Sequence, residues 1–357
     1  MARHIVPVTA VAVTGRASCR RTFAPRVVEP RMSDDDRTLL TRRRALVGGG
    51  FLAVGGATAW TFRPDPVSDS EGWSERARMP TERGEMKGAV LEDRIYVPGG
   101  LTGLGDSTAR TDVYDPNADE WEEGIPMPEP LNHHAAAALD GTLYVVGGNR
   151  EFDDPPEDHV FAYDPDADAW TELDPLPEGR WGHELVAYDG RLYVVGGRTT
   201  DTHDLLIFDG EDWDRGPPIP TPRDHLAAEV FEDRILAVSG RWDGENDPAV
   251  EAYDPEDNEW ASIDAEPTAR SGTAGAVVDG RFHLGGGEDP STLTGWTTDA
   301  HEVFDGENWR DAPAVPLPLH GPTALTHDDA VYVIGGAWRH GLFSATAWSD
   351  RTFVYEP

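Results

Sequence analysis

The 357-residue chain carries 66 acidic and 30 basic side chains, a formal net charge of −36, and one cysteine, Cys19. That balance excludes nucleic acid as a partner, because its phosphates would meet a repulsive field. A lone cysteine near the N-terminus excludes an internal disulfide, a cysteine-based zinc site and, in the rest of the chain, a cysteine nucleophile.

In chain order, residues 1–31 hold six arginines and one acid, the reverse of the acidic balance in residues 32–357. Met32-Ser33-Asp34-Asp35-Asp36 reads as a start, so residues 1–31 are expected to be a misassigned extension. In residues 32–59, Thr41-Arg42-Arg43-Arg44-Ala45-Leu46 leads into an uncharged apolar stretch, Ala45 to Ala59, closed by Ala57-Thr58-Ala59. A basic run, a short apolar run and a small-residue end form the pattern of an export signal. It resembles a twin-arginine signal, which implies passage of an already folded protein. The stretch is shorter than the ~20 residues of a spanning helix. The expectation is therefore cleavage, an extracellular or cell-surface location and no transmembrane segment afterwards, with an uncleaved membrane anchor as the alternative. Residues 60–72 read as a linker. Residues 60–357 hold 62 of the 66 acids and 20 of the 30 bases, a net of −42. Such charge on a tryptophan-rich chain predicts a halophilic host, where salt shortens the screening length to roughly 3 Å at 1 M.

From Trp73 onward the chain repeats itself. Six short apolar runs end in Gly99-Gly100, Gly147-Gly148, Gly196-Gly197, Ser239-Gly240, Gly285-Gly286 and Gly335-Gly336. Trp73, Trp121, Trp170, Trp213, Trp260 and Trp309 step by 48, 49, 43, 47 and 49 residues. Short strands recurring at such a period mark an array of small sheets. In the second repeat, the small-residue run His133 to Leu139 predicts an innermost strand and Asp140-Gly141 a tight hairpin turn. Leu143 to Val146 is a second strand, and Val160 to Tyr163 a third that ends at Asp164-Pro165. Trp170 to Leu173 is the fourth.

The glycine pairs, the Tyr-Asp-Pro strand ends and the spaced tryptophans together resemble the kelch repeat over residues 73–357. The resemblance implies an all-β, six-bladed β-propeller of four-stranded antiparallel blades. The repeats open on a fourth-strand unit, Trp73 to Pro80, and finish on a third strand, Thr352 to Tyr355. The N-terminal strand is thus expected to complete the last blade and close the ring, which leaves few free sheet edges.

Strand direction alternates within a blade, so the short Asp-Gly and Asp-Pro turns share one face. The longer connections, 101–111, 149–159, 288–301 and 337–351, share the other. Irregular loops on a rigid scaffold are where function is placed. Arg83, Arg180, Arg223 and Arg270, with His133, His183, His225 and His320, begin the innermost strands and are expected to ring the channel mouth. They read as an anion site, because the arginine fork grips carboxylates and phosphates bidentately. On that reading, replacing Arg180 and Arg223 with Ala abolishes binding. The slot is broken by Leu131 and Leu319, and the competing reading pairs each arginine with a local acid. Trp181, Trp242 and Trp338, with Trp296 and Trp348, fall outside the repeat signature and are expected to stack on a ligand. Two or three of the five are expected to tuck beneath their own loops instead.

The best-known chemistry among relatives of this fold is a galactose-oxidase-type copper radical site, which needs a cysteine crosslinked to a tyrosine. No cysteine stands after Cys19, so that activity is rejected. His133, His183, His225 and His320 come from different repeats without a metal-ligand spacing, so neither metal nor cofactor is expected. Sialic-acid mutarotases are exported six-bladed kelch propellers. By that analogy the arginines would hold an acidic sugar while His183, His225 or Glu288 moved a proton. The favoured expectation is an exported, monomeric propeller that binds an acidic carbohydrate or an acidic protein segment. A cofactor-free mutarotase and a structural cell-surface interaction module are the alternatives.

Overall fold

A computed structural model describes residues 70–151, 154–200, 202–289, 296–339 and 347–357. The expected extension, the export signal and residues 60–69 of the linker lie outside the described residues. Among those described there is no helix; six four-stranded antiparallel sheets make the blades, and two short two-stranded hairpins, Leu101–Thr102 with Asp106–Ser107 and Arg241–Trp242 with Glu245–Asn246, stand in the loops.

Blade 1 runs outward from Ala89–Leu91 through Arg94–Pro98 and Thr111–Asp115 to Glu120–Glu123. Blades 2 to 5 repeat the order outward from Ala135–Leu139, Glu184–Tyr188, Ala227–Phe231 and Ala274–Val278. In blade 6, Thr323–His327, Ala330–Ile334 and Thr352–Tyr355 are completed on the outer edge by Trp73–Glu75. That strand pairs Trp73 with Tyr355, Ser74 with Val354 and Glu75 with Phe353. Neighbouring innermost strands touch all the way round, blade 6 against blade 1, so the ring is closed as expected.

Each hydrophobic core lies between two blades. Leu91, Tyr96 and Val113 of blade 1 pack with Leu143, Val145 and Phe161 of blade 2, and five similar clusters complete the ring. On the outer strands each repeat tryptophan sits directly opposite the aromatic residue that ends strand three. The six pairs, from Tyr114–Trp121 to Tyr355–Trp73, have ring centroids 4.9–5.4 Å apart. Five of these indoles also donate to a carbonyl of the preceding blade, for example Trp121 Nε1 to Ala77 O at 2.9 Å.

The glycine pairs have a steric cause. Gly99 has φ +61°, and a Cβ there would lie 2.6 Å from the Leu131 carbonyl oxygen of the next blade. The second glycine of each pair donates its N–H to that same slot: Gly148 to Arg180 O at 2.7 Å, Gly336 to Arg83 O at 3.0 Å. In the fifth repeat the pair is Gly286-Gly287, one residue later than the sequence suggested, because Gly285 still belongs to the strand. Corrected, the second glycines of the last three repeats are 47 and 49 residues apart, the same steps as the tryptophans.

Candidate functional site

Two residues beyond each arginine slot, the chain turns through a left-handed conformation. Glu85, His133, Gly182, His225, Gly272 and Gly321 occupy this position in blades 1 to 6, with φ between +51° and +64°. Their backbones close a circle of hydrogen bonds: His133 N to Glu85 O, Gly182 to His133, His225 to Gly182, Gly272 to His225, Gly321 to Gly272 and Glu85 to Gly321. All six are 2.7–2.9 Å long. This circle needs only main chain, and three blades satisfy it with glycine. Glu85, His133 and His225 hold the same backbone at a steric cost of order 1 kcal/mol each. Strain kept for the sake of a side chain points to a site.

The three side chains converge on the axis. Glu85 Oε2 lies 3.4 Å from His133 Nε2 and 3.9 Å from His225 Nε2. Glu85 Oε1 lies 3.3 Å from Nδ1 of His320, which is also 3.6 Å from Glu288 Oε2. Burial works against the charge on His320, but Glu288 and Glu85 overcome it and push its pKa up to about 9. Burial likewise opposes the Glu85 carboxylate, yet the imidazoles of His133, His320 and His225 hold it well below the usual range. Burial lowers His133 to about 4, against the pull of the Glu85 carboxylate.

A second layer fixes these rings. His225 Nδ1 donates to Asp224 Oδ1 at 2.5 Å, and Asp224 is gripped by Arg241 at 3.2 Å and Arg198 at 3.1 Å. Arg241 also pairs with Glu288 and donates from Nη2 to His225 Nε2 at 3.0 Å. His133 Nδ1 donates to Asn132 Oδ1. His320 Nε2 donates to the Arg339 carbonyl at 2.8 Å. The Trp181 ring stands edge-on to both His133 and His225, with centroids 5.3 and 5.6 Å away. Along the channel wall a cavity of about 30 Å³ is lined by Glu85, Lys87, His133, Glu184 and His225. That is room for a water or two or an ion, not for a sugar ring. Lys87, the chain's single lysine, bonds Glu184 at 2.5 Å there.

The four arginines are not at this site, which corrects the sequence expectation. Arg83, Arg180, Arg223 and Arg270 are at most 1% exposed. Arg83 donates to the Val97 carbonyl and pairs with Asp112, both at 2.8 Å. Arg223 bonds Ala237 O at 3.1 Å and Glu251 at 2.5 Å. Arg270 bonds Leu284 O at 3.0 Å and pairs with Glu302, and Arg180 bonds Gly196 O at 3.2 Å and pairs with Glu178. Each guanidinium thus ties its own blade together inside the wall. His183 is also displaced from the mouth. It presses behind Gly147, as Leu226 does behind Gly196, and burial lowers it to about 3. His133, His225, His320 and Glu288 do come together around Glu85.

The loop tryptophans divide. Trp181 and Trp242 are partly exposed, Trp242 with the Arg198 guanidinium 4.3 Å from its ring centre, and Trp296 is 48% exposed. Trp338 is buried in the blade 5–6 core with Arg339 stacked 4.4 Å over it, and Trp348 packs with Leu101 and Ala337. Glu85, Asp224 and Arg241 were not foreseen. The signal for Glu85 is its place two residues after an arginine slot, where the other blades carry glycine or histidine.

A family model for the KLHDC2/KLHL20/DRC7 kelch-repeats domain matches residues 132–336, and the kelch motif model matches residues 82–128. The Kelch-like protein terF of Aspergillus terreus is 29% identical over 336 residues, which cover 88% of this chain and 63% of that protein. Alpha-scruin of Limulus polyphemus is 28% identical over 63% of this chain and 21% of its own length. The chain therefore spans less than two thirds of these relatives. The solved structure of YjhT superposes with a TM-score of 0.67 at 18% identity, covering 78% of this chain and 96% of that one, a likeness of fold. With the matched models covering most of the repeat region and six blades carrying its signature, the chain belongs to the kelch-repeat family.

Proposed function

We propose that this propeller is a ligand-binding module, and that an acidic carbohydrate or an acidic protein segment docks over the axial mouth on the loop-rich face. The observation that carries this reading is the strained trio Glu85, His133 and His225, placed where the scaffold itself accepts glycine. The acidic preference is supported by Arg198 on Trp242 and Arg339 on Trp338, which set cations against aromatic faces on that side of a strongly acidic chain. Partly exposed Trp181, edge-on to the two histidines, offers a stacking surface beside them. The N-terminal pattern at residues 41–59 supports export to the cell surface or beyond, and the net charge supports a saline setting.

Saturation-transfer NMR of the full chain in molar KCl, against acidic and neutral sugars and an acidic peptide, tests the docking. We expect transfer to the acidic ligands and at least roughly tenfold weaker binding in Trp181→Ala/Arg198→Ala, the loss of about 1.4 kcal/mol. Silence across the panel, or unchanged signals in the variant, refutes it. A second reading, a cofactor-free sugar mutarotase, is favoured by one feature: the His320 imidazolium held between Glu85 and Glu288 is a ready proton donor. Accelerated anomer exchange in the same spectra, lost in His320→Gln, would support it.

A further inference from the structure

We propose that Glu85, His133 and His225 bind one divalent transition-metal ion at the centre of the propeller mouth. The inference goes beyond ligand docking and does not depend on it.

The first ground is spacing. One carboxylate oxygen of Glu85 and one nitrogen from each histidine all lie within 4.8 Å of one another. Ligands bound to one tetrahedral zinc at about 2.0–2.1 Å are themselves about 3.3 Å apart. The 3.4 and 3.9 Å separations from Glu85 Oε2 already approach that value.

The second ground is the tautomers. Asn132 commits its amide donors to Ser107 Oγ at 2.6 Å and to the Asn149 carbonyl at 3.0 Å, so its Oδ1 accepts from His133 Nδ1. Asp224 accepts from His225 Nδ1. Both rings therefore carry their lone pair on Nε2, the nitrogen nearer Glu85. Anchoring the outer nitrogen to a carboxylate or amide oxygen is how metal-ligating histidines are oriented.

The third ground is charge. The third group beside these two ring nitrogens is a carboxylate, so a cation among them would meet one negative charge and two neutral donors. At His225 the Arg241 guanidinium already supplies one positive donor to Nε2. A metal takes that donor's place while Arg241 keeps Asp224 and Glu288. The circle of backbone hydrogen bonds holds all three Cα atoms, so little rearrangement is needed. Two imidazoles with one carboxylate select zinc or iron(II) over calcium or magnesium. The ligands come from three different blades, which is why no sequence spacing announces them.

The test is metal uptake by the full chain, stripped with chelator and dialysed against micromolar Zn²⁺ or Co²⁺. We expect one equivalent per chain and a visible Co²⁺ spectrum of a nitrogen- and oxygen-ligated site. His133→Gly and His225→Gly adopt the residue that three other blades carry in the circle, so they should fold with unchanged circular dichroism yet lose the metal and its spectrum. Asp224→Asn should weaken binding roughly 10–100-fold. No uptake, or an unchanged Co²⁺ spectrum in the double glycine variant, overturns the site. Sugar and peptide binding measured in the presence of chelator is unaffected by that failure, so the two readings fall separately.

Discussion

At the arginine slot, charge and hydrocarbon replace each other in pairs in five blades, while in blade 3 Arg180 takes Glu178 and Leu206 fills the partner position. Arg83, Arg223 and Arg270 meet Asp112, Glu251 and Glu302, each two residues before the strand-ending aromatic. Where the slot holds Leu131 or Leu319, the partner position holds Phe161 or Phe353, and each pair shares one apolar core. A buried ion pair and a packed apolar pair are therefore alternative fillings of one cavity, as the near-cancellation of desolvation and attraction allows. Arg223→Leu alone should cost about 3–5 kcal/mol, because Glu251 stays buried without its partner. Arg223→Leu with Glu251→Phe should return to within about 1–2 kcal/mol of the parent. Urea denaturation decides the matter, and a double variant no more stable than the single one would show that the slot demands charge. The two leucines were visible in the sequence, but as gaps in an anion site. Their meaning depended on the phenylalanines 30 and 34 residues further on, which only the fold brings into the same core.

At the scale of the blade, the repeat is readable because one rule is written six times. Period, strand order and closing strand all derive from the glycine pairs and tryptophans. The site is written once. Glu85, Asp224, Arg241 and Glu288 stand beside the repeated positions, at places where the residue type changes from blade to blade, and averaging over repeats hides them. The tryptophans show how a repeated residue can still differ in duty. Trp121 Nε1 reaches the neighbouring blade at Ala77 O, whereas Trp213 Nε1 is buried with no hydrogen-bond partner among the described residues. Both stack on their strand-three aromatic, at 5.0 and 4.9 Å, so packing loss is comparable. Trp121→Phe should therefore destabilise by about 1 kcal/mol more than Trp213→Phe, the net value of one hydrogen bond. Equal denaturation midpoints for the two variants would mean that the indole contacts do not join blades.

For the whole molecule, the ring is closed by three residues. Trp73, Ser74 and Glu75 pair with the last strand, Trp73 Nε1 reaches Pro313 O at 2.8 Å in blade 5, and Glu75 pairs with Arg351. Remove them and the strand Thr352–Tyr355 becomes an open edge, able to pair with a second chain. A net charge near −42 over residues 60–357 opposes that association while salt is low. At molar salt the screening length falls to roughly 3 Å, and the repulsion no longer reaches across the gap. A chain beginning at Ala77 should unfold at lower denaturant than the parent at any salt. It should stay monomeric in 0.1 M KCl and self-associate in 2 M KCl, as read by light scattering on a sizing column. The parent, with its edge covered, should remain one size in both. Identical denaturation midpoints for the two chains would mean that inter-blade packing alone holds the circle. Association of the shortened chain already at low salt would mean that its charge does not guard the exposed edge.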